Sequence, residues 1–198
     1  MKEGIQDPRV DPNHKNEPGS NALCCASEKG HQDVVKILLA SYPKLELNGV
    51  NNYGATSLFR ACEEGFVEVV ELLINFNGID VNKPDSLGST PFLIACQEGY
   101  IDIVKLLLKD ERIDINQPNN EGETPLISAC RWRRLEVIQA ILGCGREVNI
   151  TAKDNGGKSS IDRAIEKNHN EMVELLESFQ NNPNETRTKL RKQLGLSG

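Results

Sequence analysis

The chain has 198 residues and a formal net charge of −6, with 38% hydrophobic and 5% aromatic residues. An acidic balance excludes a general nucleic-acid binder, because duplex affinity comes mostly from neutralising phosphates, and so few aromatics suit thin layers of Ala, Leu, Ile and Val better than a large enclosed pocket. The N-terminus lacks the apolar stretch of a secretory signal and no apolar run approaches the roughly 20 residues of a membrane span, which predicts an intracellular, cytoplasmic protein, the nucleus left open, with no membrane insertion.

In chain order, residues 5 to 13 end on Arg9-Val10-Asp11-Pro12-Asn13, which matches Arg112-Ile113-Asp114-Ile115-Asn116 further on. Residues 1–13 are therefore predicted to be the remnant of a preceding unit or an N-terminal cap. Five units then fill residues 14–180. The first is worn but in phase, with Asn21-Ala22-Leu23, Gly30-His31 and Val34-Val35 before Ile37-Leu38-Leu39. The second carries Gly54, Thr56, Gly65, Val69-Val70 and Leu72-Leu73.

The third unit is complete. Gly88 supplies a turn, Thr90 caps a helix by accepting from an unpaired N–H, and Pro91 stands at the first helical position, where no donor is needed. A helix is predicted from about Pro91 to Glu98, ended by Gly99 in the left-handed conformation. A second follows from about Ile101, with Ile103, Val104, Leu107 and Leu108 on one stripe. Ile113 to Asn116 is the extended return.

The fourth unit keeps Thr124-Pro125 but ends its first helix on Cys130-Arg131-Trp132-Arg133-Arg134, so that Arg133 stands where Gly30, Gly65 and Gly99 stand elsewhere. The fifth, from Ser159-Ser160-Ile161, has Asn168 at that place, and its Asp162, Arg163, Lys167 and His169 suit a terminal unit with a soluble outer side. Residues 181–198 are predicted to be a basic C-terminal helix or tail: Asn182 caps, Pro183 opens, and Leu190 and Leu194 share a face. It either covers the last unit or binds a partner.

The frame positions Asn21, Thr56, Thr90, Thr124 and Ser159 are 35, 34, 34 and 35 apart. The asparagines Asn13, Asn48, Asn82, Asn116 and Asn149 repeat independently at 35, 34, 34 and 33. With Thr56-Ser57-Leu58-Phe59-Arg60-Ala61, Thr90-Pro91-Phe92-Leu93-Ile94-Ala95 and Thr124-Pro125-Leu126-Ile127-Ser128-Ala129, the chain resembles the ankyrin repeat family, whose signature is Thr-Pro-Leu-His-x-Ala. The histidine is absent from all three. The resemblance implies an all-α solenoid of stacked helix-turn-helix units with β-hairpin-like turns.

Catalytic and metal chemistry are not predicted. Cys62, Cys96 and Cys130 share one frame position, so stacking keeps them about 8–10 Å apart, too far for a disulfide or zinc. Cys144 is predicted to be the most exposed thiol. Asn155-Gly156-Gly157-Lys158-Ser159 resembles the end of a P-loop but has Ala152 where the motif needs glycine. His14, His31 and His169 fall in separate units. No enzyme, cofactor, small-molecule substrate or metal follows from these residues.

What the resemblance implies is recognition of a partner protein through a concave face made of turn tips and first-helix ends, in an adaptor or scaffold that is monomeric. The alternative is a structural segment of a larger multidomain protein whose array sets geometry. The binding residues implied are Tyr53, Leu87 and Glu121 at the tips and Glu63, Glu64, Gln97, Glu98, Arg131, Trp132 and Arg133 on the helices. Tyr, Trp and Arg are the common interface anchors, although Trp132 can also simply pack on its neighbours. Glu28, Glu63, Glu64 and Glu98 make the first three units acidic, and Arg131, Arg133, Arg134, Lys158, Arg163 and Lys167 the last two basic, which suits a partner segment with a basic portion. The resemblance also implies Asn116 as a site of asparagine hydroxylation.

Overall fold

A computed structural model describes residues 11–195. The helices come in pairs: α1 (Ala22–Glu28) and α2 (Gln32–Ser41), α3 (Ser57–Glu64) and α4 (Val67–Ile74), α5 (Pro91–Glu98) and α6 (Ile101–Leu108), α7 (Pro125–Arg131) and α8 (Leu135–Gly143), α9 (Ser160–Glu166) and α10 (Asn170–Asn181), followed by α11 (Pro183–Gln193). Odd-numbered helices α1 to α9 stack as an inner layer and even-numbered helices as an outer one, while α11 packs on α8 and α10 at the C-terminal end. The result is an all-α solenoid.

Each inner helix starts for the same local reason. The side chains of Asn21, Thr56, Thr90, Thr124 and Ser159 accept the N–H three residues on, at 2.9, 3.1, 3.1, 3.3 and 3.2 Å, each an arrangement that contributes about 1 kcal/mol. Phe59, Leu93 and Ile127, at the place of the family's histidine, are at most 4% exposed. Apolar packing has replaced a polar bridge there. Ala26, Ala61, Ala95, Ala129 and Ala164 are buried one per unit, so that neighbouring inner helices approach closely.

The turns between units are hairpin-like, each closed by a backbone bond: Asn51 N–H to the Ala55 carbonyl, Asp85 to Ser89, Asn119 to Glu123 and Asp154 to Lys158. Among the described residues the β-pairing consists of one isolated bridge, Lys153 with Ser159, and the stretch predicted to be an extended return, Ile113 to Asn116, forms turns with Ile113 and Ile115 buried. Side chains join the units as well as the backbone bonds between neighbouring tips. Asn13, Asn48, Asn82 and Asn116 each donate Nδ2 to a carbonyl of the next unit (Lys44, Gly78, Arg112 and Glu147, 2.7–2.9 Å). Their Oδ1 atoms accept the N–H of Glu46, Asp80, Asp114 and Asn149. Of the predicted N-terminal remnant, residues 1–10 lie outside the described residues; Asn13 makes the first rung of this ladder.

At the other end, α11 buries Leu190 against the array and places the Arg187 guanidinium 5.5 Å from the Phe179 ring centre. Arg187 also donates to the Arg146 carbonyl at 3.2 Å, much as Arg112 caps the Ile74 carbonyl at 2.6 Å.

All six cysteines are free. Burial pushes the Cys62 and Cys96 thiols far up and Cys130 to about 12, so they are inert as nucleophiles. Cys144 is half-buried, as is Cys25, and the Arg146 N–H points at its sulfur. The most accessible thiol is thus shared between two positions. Thiol titration should count six groups in unreduced, denatured protein, with only Cys25 and Cys144 reacting promptly in the native state. A denatured count of four or fewer would contradict this.

Candidate functional site

The turn tips are held rigidly from below. At four tips an Asn or Asp three residues before the turn glycine accepts two backbone N–H groups: Asn51 from Tyr53 and Ala55, Asp85 from Leu87 and Ser89, Asn119 from Glu121 and Glu123, Asp154 from Gly156 and Lys158, all at 2.8–3.0 Å. Adjacent tips are stapled by Ser86 N–H to the Tyr53 carbonyl, Asn120 N–H to Leu87 and Asn155 N–H to Glu121. This leaves the side chains of Tyr53 and Leu87 projecting, 70% and 68% exposed. Trp132, at the C-terminal end of α7, is 50% exposed. These are large apolar groups held in water on stiff backbone.

The carboxylates of the first three units surround an arginine. Arg60 on α3 pairs with Glu28 of the preceding unit at 3.5 Å, with Glu64 at 3.1 Å, and with Glu63. Lys29 adds a pair to Glu28. Glu98 holds the Gln97 amide at 3.0 Å. Three carboxylates thus meet two cations, and the acidic half is less charged than its glutamates alone suggest. Burial and the neighbouring carboxylates of Glu64 and Glu98 still outweigh Arg60, so the Glu63 carboxyl sits above its ordinary value.

The basic half is largely neutralised internally. Arg131 pairs with Glu123 at 2.9 Å and reaches Glu121 at 3.7 Å. Arg163 holds Asp154 and Glu166, and Lys158 also pairs with Glu166. Glu123 and Asp154 are nearly fully buried behind these guanidinium groups. Arg134 is turned back onto the Gln97 carbonyl at 2.8 Å. Among the described residues Arg133 and Lys167 have no carboxylate partner. Arg131, Trp132, Arg163, Glu166 and Lys167 line an open recess of about 370 Å³.

Burial alone would raise the Asp154 carboxyl. The N–H groups of Lys158 and Gly156 and the Arg163 guanidinium outweigh that and hold it below its ordinary value. Its contribution to stability is therefore present above about pH 4 and lost as pH falls through the depressed native value. Asp154→Asn should destabilise at pH 7 and cost progressively less as pH falls through the depressed native value, read by urea denaturation across the acid range; a cost that does not change with pH would contradict it.

A family model described as ankyrin repeats matches residues 2–85 and 77–154, more than half of the chain. The chain belongs to the ankyrin repeat family. Among curated proteins, glycerophosphocholine phosphodiesterase GDE1 of Candida albicans is 42% identical over 64 residues, which are 32% of this chain and 5% of that protein. The chain matches a small part of a far longer relative.

Within the ankyrin frame the fourth repeat is exceptional. Arg133 has φ +63°, the left-handed conformation that Gly30, Gly65 and Gly99 adopt at +69°, +84° and +84°. In the first three repeats a large side chain of the next repeat lies directly on that glycine: an added Cβ would meet Phe66 at 2.6 Å, Tyr100 at 2.9 Å or Arg134 at 2.6 Å. The corresponding partner of Arg133 is the smaller His169, whose pKa is pushed down by burial and by the Arg133 charge. Arg133 does not line the Trp132 recess. Its left-handed backbone costs roughly 1–2 kcal/mol relative to glycine, partly offset by the freedom a new glycine gives the unfolded chain. Arg133→Gly should stabilise the array by up to about 1 kcal/mol in equilibrium denaturation; a destabilised variant would show that the Arg133 side chain contributes more than its backbone costs.

The sequence reading missed the Asn and Asp tip residues, Arg60 and Glu123. The first were legible, since Asn16, Asn51, Asp85, Asn119 and Asp154 recur in the same period. Arg60 and Glu123 occur once each in the frame, so no repetition marks them. The described residues contain no group of three or more His, Cys, Asp or Glu placed to hold a metal ion. No helix among them is long and apolar enough to cross a membrane.

Proposed function

We propose that this chain is an adaptor or scaffold module that binds an extended segment of a partner protein along the face made by its tips and inner helices. The observation that carries this reading is the exposure of Tyr53, Leu87 and Trp132 on backbone that is otherwise tightly tied. Tyr53 and Leu87 stand on adjacent tips joined by the Ser86 N–H to Tyr53 carbonyl bond, and Trp and Tyr are the residues that most often anchor interfaces. Around them Glu63, Glu64, Gln97, Glu98 and Glu121 form a polar rim that favours a partner with a basic portion, and Arg131 adds a guanidinium. Such a module works in the cytoplasm as a monomer and leaves chemistry to its partners. Captured proteins should be lost from a Tyr53→Ser/Leu87→Ser variant that keeps wild-type stability; retention of all of them contradicts the reading.

A second reading is favoured by one observation. The match to GDE1 covers only 5% of that protein's length, so a stretch like this one also stands inside a much longer chain; on this reading the array chiefly sets geometry. Asn116 fits modification poorly in the folded array, because both ends of its amide are bonded to the next repeat. Hydroxylation there would act on chains in which that rung has opened.

A further inference from the structure

The recess beside Trp132 has a charge pattern that the rest of the face lacks. Glu123 and Asp154 hold the Arg131 and Arg163 guanidinium groups from the buried side, at 2.9 Å for Arg131. Each guanidinium has five N–H donors, and the contacts made by Arg131 leave donors unused. Glu166, the carboxylate in the lining, is already shared by Arg163 and Lys158 at 3.0 and 3.1 Å. Lys167 stands at the mouth, exposed and with no carboxylate among the described residues. The recess thus offers an aromatic wall, two guanidinium groups and one ammonium without a carboxylate partner among the described residues, with Glu123 and Asp154 behind and Glu166 in the lining already shared.

A partner lysine entering there would face Lys167 and the two guanidinium groups and find Glu166, the carboxylate in the lining, already shared, while Glu121 lies outside the lining. A partner carboxylate would find the opposite: spare N–H donors on Arg131 and the uncompensated Lys167, with its neighbouring apolar residue against the indole. Fixed guanidinium groups suit this task because little side-chain freedom remains to be lost on binding. The first three repeats, with Glu28, Glu63 and Glu64 against Arg60 and Lys29 and with Glu98 unpaired by a cation among the described residues, have the reverse polarity.

Resting on the concave-face reading above, we propose that the recess formed by Arg131, Trp132, Arg163 and Lys167 is the subsite for an acidic residue next to an apolar one in the partner protein. The bound segment is bipolar, with its basic portion over repeats one to three and its acidic portion at repeats four and five. The polarity fixes the direction in which the segment lies along the array.

A phage-displayed library of random twelve-residue peptides, selected on the full chain, tests this. Wild type should enrich peptides that place Asp or Glu beside Phe, Leu or Tyr. Synthesised members should change the emission of Trp132, the chain's single tryptophan, and lose at least tenfold in affinity on Lys167→Glu. Enriched peptides that are basic throughout, or bind Lys167→Glu as tightly as wild type while weakened by Glu63→Gln/Glu64→Gln, would overturn the subsite and leave the face standing. Enrichment insensitive to both variants and to Trp132→Ala would overturn the face as well.

Discussion

Arg131→Met is expected to lower the stability of the array by about 2–3 kcal/mol, because it strands a buried carboxylate. Removing one partner of a fully buried pair costs about 3–5 kcal/mol; the lower figure allows for an Arg131 side chain that is 32% exposed. Glu123 is 4% exposed, and its pair with Arg131 at 2.9 Å is the one ion pair it makes among the described residues. Burial already pushes its carboxyl up more than Arg131 pulls it down, so losing that guanidinium leaves only the weaker pull of Arg163 on the charge. Arg131→Met/Glu123→Gln, which removes both charges, should recover more than half of the loss. Urea denaturation of the three proteins checks this. A single variant within about 0.5 kcal/mol of wild type would place Glu123 in water rather than in the array.

Trp132→Ala should behave in the opposite way, with a small effect on stability and a large one on binding. Half of the indole is already in water, so its truncation removes little buried area. At a partner interface the same truncation should cost about 2 kcal/mol or more, roughly thirtyfold in Kd. Isothermal titration with a peptide selected on wild type measures it. An affinity changed by less than about threefold, together with a drop in stability, would mean that Trp132 packs on its neighbours and anchors nothing.

Much of the fold was legible because the solenoid writes each structural reason five times. The helix caps Thr56, Thr90 and Thr124, the prolines Pro91 and Pro125, and the left-handed turn at Arg133 all follow from local chemistry repeated in phase. What was not legible depends on contacts between repeats that occur once. The Arg60 cluster joins α1 to α3, and the Arg131–Glu123 pair depends on how deeply one tip is buried; neither leaves a periodic mark. The same limit applied to charge. Counting lysines and arginines made the last two repeats basic, whereas Arg131, Lys158 and Arg163 meet carboxylates that the sequence scatters over the neighbouring tip and helix. The hairpin-like turns are closed by single backbone bonds such as Asn51 N–H to the Ala55 carbonyl, and asparagine side chains, at positions singled out as periodic, join the units beside the backbone bonds between tips.

Site-specific photo-crosslinking measures directly which face meets the partner. A benzophenone side chain at Tyr53, Leu87 or Trp132 should give adducts with one and the same protein in cells, while the same group at Glu68 on α4 or Glu136 on α8 should give none. Adducts from Glu68 and Glu136 with none from Tyr53, Leu87 and Trp132 would put recognition on the outer helices and contradict the assignment of the inner face.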